Sequence, residues 1–126
     1  MASFRASRDE PKGAVAGDQG GTASLDLLKL FDAIVAEHIP EFIDIGVVRY
    51  AKTPHRYKER RSLSVKAAWA DFEVILWDSG EVEFGYGTEG EAHERTLMVT
   101  CEADLRELVG RFIQVARSWK PSRLPG

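Results

Sequence analysis

This chain of 126 residues has a single cysteine, Cys101, which excludes an internal disulfide and fits a reducing compartment. It has no apolar run near the ~18–20 residues of a membrane-spanning helix. The N-terminus lacks the uninterrupted apolar segment of a signal peptide, so a cytoplasmic protein is expected, with no membrane partner. No G-x-x-x-x-G-K-[ST], G-x-S-x-G or H-E-x-x-H motif is present, and Gly85-Tyr86-Gly87 is too short for a phosphate-binding fingerprint. His38, His55, His93 and Cys101 are the only imidazole or thiol groups, and no two fall at zinc-motif spacing. No metal, no cofactor and no catalytic residue is therefore expected. His38 belongs near a helix C-terminus, where a cation is favoured. Cys101 sits at a strand-to-helix junction with no basic partner in view.

What is present is ordinary in amount and uneven in placement. A 44% hydrophobic and 29% charged chain of this length makes one soluble domain, burying roughly two thirds of its unfolded surface. The net charge is only −3. Yet residues 49–66 carry Arg49, Lys52, Arg56, Lys58, Arg60, Arg61 and Lys66 against Glu59 alone, while residues 71–94 carry eight carboxylates and no Lys or Arg. Such a split bears on partners more than the total does.

The organising stretch runs from Ala67 to Val99. Apolar and polar residues alternate on both sides of Asp78-Ser79-Gly80, the pattern of a half-buried hairpin with a three-residue loop closed by a left-handed glycine. That loop sets Trp77 opposite Glu81, Ile75 opposite Glu83 and Glu73 opposite Gly85. On the other face Leu76 meets Val82, Val74 meets Phe84 and Phe72 meets Tyr86. The second face is wholly apolar and is the core.

In chain order, residues 1–23 read as a disordered leader rich in Gly, Ala, Ser and charge. Ser24 is the expected N-cap of a helix through about His38, with Leu27, Leu30, Phe31, Ile34 and Val35 at helical spacing. Pro40 prevents simple continuation, and 41–45 could add a short turn before Gly46. Strands are expected over 47–52, 62–69 and 93–99, flanking the hairpin, with 53–61 a cationic loop. Thr100 is the expected N-cap of a last helix whose apolar stripe is Leu105, Leu108, Val109, Phe112, Ile113, Ala116 and Trp119, stopped by Pro121. Residues 24–120 thus form the domain and 121–126 a flexible tail. The expectation is a two-layer α+β fold: an antiparallel sheet of about five strands, with an N-terminal and a C-terminal helix packed on one face.

The opposite sheet face is the candidate site. Glu73, Ile75, Trp77, Asp78, Glu81 and Glu83 combine apolar anchors with carboxylates, as interface centres do. A solvated acidic face is the plain alternative. A catalytic carboxylate pair would need a desolvated cleft, which a flat hairpin gives no reason to expect. The loop over 52–61, with Tyr50, His55 and Tyr57 interleaved, could instead serve a small nucleic-acid-binding or adaptor module. The acidic balance argues against nucleic acid.

Trp77-Asp78-Ser79-Gly80-Glu81-Val82-Glu83, preceded by the apolar strand 72–76, resembles the W-E/D-S-G-E segment of TriTu-type bacterial immunity proteins. The layout over about 25–118 is similar too, including a late helix of the Leu-Arg-Glu-Leu-Val kind. Ala67-Ala68-Trp69 and the long basic loop depart from it. The resemblance implies a cytoplasmic antitoxin that binds and occludes a cognate secreted toxin domain, in the TriTu case an ADP-ribosyltransferase.

Overall fold

In a computed structural model the described residues are 26–53 and 58–122. The leader, its Ser24 cap, Arg56, His55 and Tyr57, and residues 123–126 lie outside them. Eight elements follow in order: α1 (Leu27–Glu37), α2 (Ile39–Ile45), β1 (Val47–Thr53), β2 (Arg60–Lys66), β3 (Asp71–Trp77), β4 (Glu81–Thr88), β5 (Glu91–Met98) and α3 (Glu102–Ser118). The five strands form one antiparallel meander in the order β1-β2-β3-β4-β5. This is an α+β fold with its helices against the apolar side of the sheet.

The central hairpin has the register that its alternation dictates: Leu76 pairs Val82, Ile75 pairs Glu83, Val74 pairs Phe84, Glu73 pairs Gly85 and Phe72 pairs Tyr86. Gly80 closes the loop at φ 96°, a conformation that L side chains rarely adopt. A Cβ there would lie 2.4 Å from the Val99 carbonyl oxygen, so glycine is required on two counts.

Asp26 caps α1 by accepting from the Lys29 N–H at 3.1 Å. Beyond His38 the chain starts a second helix rather than a single turn, because Pro40 falls in its first turn, where a missing N–H is harmless. β2 begins at Arg60, two residues earlier than the apolar alternation indicates. It ends at Lys66, because the Ala67 N–H bonds back to Ala70 O and turns residues 67–70 away from the sheet. Trp69 is therefore on a turn, with the Lys120 ammonium 4.2 Å from its ring. The α3 cap position is Cys101, not Thr100; the Thr100 N–H and hydroxyl both donate to Asp104 Oδ2. The first residues of the expected flexible tail, 121 and 122, are held in place. Pro121 is buried, and the Ser122 N–H and hydroxyl donate to Glu91.

The core lies between sheet and helices. Phe31, Phe42, Phe72 and Phe112 are among its largest fully buried side chains. Phe112 of α3 packs on Phe42 of α2 at 5.8 Å and on Phe84 of β4 at 5.6 Å, joining both helical segments to the sheet. Burying one such ring contributes about 2–3 kcal/mol. At one end Trp119 packs edge-on against Tyr86, on which His93 stacks.

Candidate functional site

The alternation that buries one side of the sheet turns the other side outward, and none of the described helices covers it. Successive cross-strand rows of this outer face can be read from the register. One row is Arg49, Ser64, Glu73, Gly85 and Glu94; the next is Ala51, Ser62, Ile75, Glu83 and Thr96; the last is Thr53, Arg60, Trp77, Glu81 and Met98. None of these residues is buried. Charge is sorted by strand: Arg49, Arg60 and Lys66 lie on β1 and β2, and Asp71, Glu73, Glu81, Glu83 and Glu94 on β3 to β5.

Five of the six residues expected at the site share this face. Glu73, Ile75 and Trp77 line β3, with Glu81 and Glu83 beside them on β4. Asp78 stands apart in the hairpin loop. Its carboxylate accepts from the Glu59 N–H at 3.2 Å and its own N–H donates to Glu59 O, tethering the chain that leads into β2. Ile75 and Trp77 are half-buried against their neighbours, not under a helix. Gly85 and Gly87 leave a shallow trough on β4, walled by Asp71, Glu73 and Glu94.

Basic residues that alternation alone places in a loop belong to the same face. The Lys58 ammonium lies 5.2 Å and the Arg60 guanidinium 5.3 Å from the Trp77 ring centre, within cation–π range. Lys58 also pairs with Glu81 at 3.0 Å. Counting back two residues from Ser62 would have set Arg60 opposite Trp77.

Arg61 points the other way. It is buried on the inner side, where its Nε donates to Asp32 Oδ1 of α1 at 2.8 Å. The Tyr50 hydroxyl donates to the same oxygen, and Lys52 lies 3.5 Å from Oδ2. Burial acts to raise the Asp32 carboxyl, but Arg61 and Tyr50 hydrogen bonds, with the Arg61 and Lys52 charges, outweigh it and hold the group below its ordinary range. Burial, then Asp32, pushes the Tyr50 hydroxyl far up. Arg61 thus pins α1 to the sheet and is withdrawn from any cationic binding loop.

A second cleft, about 220 Å³, lies between β5 and α3, lined by Leu97, Met98, Val99 and Leu108 with Arg95 and Arg111 at its rim. Asp104 borders it with Oδ1 unpartnered. Among the described residues no group of three or more His, Cys, Asp or Glu is placed to hold a metal ion. No described helix is long and apolar enough to cross a membrane. Comparison with protein-family models, curated proteins and solved structures finds no match to this chain.

Proposed function

We propose that this chain is a non-enzymatic immunity protein whose open sheet face binds a cognate bacterial toxin domain and covers its active site. The observation that supports this reading is the uncovered β3–β4 surface, where Trp77 and Ile75 lie amid Glu73, Glu81 and Glu83. An aromatic anchor ringed by polar groups is the usual centre of a binding surface. Toxin sites that hold nucleotides or nucleic acid present cations, and carboxylates opposite them both complement the charge and speed encounter. The resemblance of 77–83 to TriTu-type immunity proteins points the same way and makes an ADP-ribosyltransferase the first partner to try. On this reading the partner is a protein, the compartment is the cytoplasm, and no residue of the chain is catalytic.

Co-expression with the toxin domain encoded beside this chain's gene is the test. Wild type protects the cell; Trp77→Ala and the pair Glu81→Lys/Glu83→Lys lose protection while staying folded. Equal protection by all three removes this face from the account, and a genome with no toxin gene beside this one withdraws the antitoxin reading.

A further inference from the structure

We infer that the same open face binds a second copy of this chain, pairing two molecules face to face about a two-fold axis parallel to β3. This goes beyond the toxin reading, which needs a single partner on that face. Charge on the face is sorted by strand, with Lys58, paired to Glu81 of its own chain, the one cation that reaches the acidic side among the described residues. Half a turn about an axis along β3 mirrors the strand order and preserves position along the strands. β1 of one copy then lies over β5 of the other, β2 over β4, and β3 over β3.

The cross-strand rows fix what meets what. Arg60 of each copy faces Glu81 of the other, and Arg49 faces Glu94. Lys66 enters the space over Gly87, next to Asp71. Ile75 meets its own counterpart on the axis and loses its remaining exposure, with Trp77, flanked by Lys58 and Arg60 of its own chain, close beside it. The other in-plane axis, perpendicular to the strands, lays each strand on its own copy, which leaves Arg49 and Arg60 with no carboxylate opposite and sets Glu83 against Glu83. Electrostatics therefore selects one operator, and the contact is isologous and closed.

Glu73 and Asp71 share the axis strand with their own copies, which is a cost. Packed sheets cross at about 30°, so the axis bisects the two copies of β3 at about 15° from each, which swings the two copies of Asp71 apart while Ile75 stays near the axis. The Ser62 hydroxyl donates to Glu73 at 3.3 Å and draws that carboxylate toward β2.

The area sets the strength. Five strands about 4.8 Å apart, with seven residues rising about 3.3 Å each, present about 550 Å² a copy, or about 1,100 Å² in all. That lies just below the range of stable interfaces, so pairing is reversible and rises with concentration. A toxin that fits this face better displaces one copy by mass action.

Sedimentation equilibrium of the whole chain tests the proposal. The mass should climb from the 14.1 kDa monomer toward the dimer between micromolar and millimolar concentration, and fall back in high salt. Arg60→Glu and Glu81→Arg should each weaken association at least tenfold. Mixed in equal amounts they should pair again, because both 60-to-81 contacts of the mixed dimer oppose unlike charges. Arg49→Glu with Glu94→Arg supplies a second such couple should either first variant fail to fold. A monomer at every concentration, association that the single variants leave unchanged, or mixtures that pair no better than their components would each overturn the proposal. None of these results bears on the toxin reading, which is judged by protection of the cell.

Discussion

The two faces of this sheet are cut from the same strands and meet opposite surroundings. Along β3, Phe72, Val74 and Leu76 are at most 1% exposed, while Glu73, Ile75 and Trp77 between them remain open or half open. The inner face is closed by helices and holds the chain together through apolar burial. The outer face is closed by nothing within the described residues and carries its charge sorted by strand. Stability thereby rests on the inward residues of the strand and, on the proposed reading, recognition on the outward ones, and each can be perturbed alone.

The sharpest way to break that division is from the inside. Phe112→Ala leaves a cavity between Phe42 and Phe84 and should lower unfolding free energy by about 3–5 kcal/mol, read by denaturant titration. Next comes the half-buried ion pair of Arg61 and Asp32. Asp32→Ala strands the Arg61 guanidinium and should cost about 2–4 kcal/mol, with much of the loss recovered when Arg61→Met is added.

The same pair gives a pH signature. The Asp32 carboxyl in the fold is held below its ordinary value of 3.8, so its contribution is present above that value and is lost as pH falls through the lower folded one. Acid melts should show wild type losing stability more steeply below about pH 4 than Asp32→Asn does. Gly80→Ala follows, at about 1–3 kcal/mol, because the new Cβ meets the Val99 carbonyl at positive φ. The smallest stability effects belong to the outside. Glu81→Lys/Glu83→Lys should change unfolding free energy by no more than about 0.5 kcal/mol, and a comparable loss to that of Phe112→Ala would erase the distinction between the faces.

Much of this was legible from residue order. Period-two alternation around Asp78-Ser79-Gly80 admits one register, since a one-residue slip would turn Phe72, Val74 and Leu76 to solvent. That is why five of the six candidate site residues come together. Asp78 did not join them because a loop residue has no face, and its carboxylate is spent on Glu59. The start of β2 was harder. Alternation of apolar residues begins only at Leu63, so Arg60 and Arg61 read as loop although they obey the same parity, one outward over Trp77 and one inward. The partner of Arg61 could not be read at all. Asp32 lies beside the apolar stripe of α1, and a contact across 29 positions leaves no trace in local spacing. The second helix was obscured by Pro40, which stops one helix and is tolerated in the first turn of the next.

The outer face as the binding surface is the central claim, and one calorimetric titration tests it most directly. Purified toxin domain is titrated with wild type and with Glu81→Lys/Glu83→Lys, both shown by thermal melts to be equally folded. Affinity should fall at least tenfold, about 1.4 kcal/mol, at unchanged stability. Equal affinity for the two proteins would contradict it.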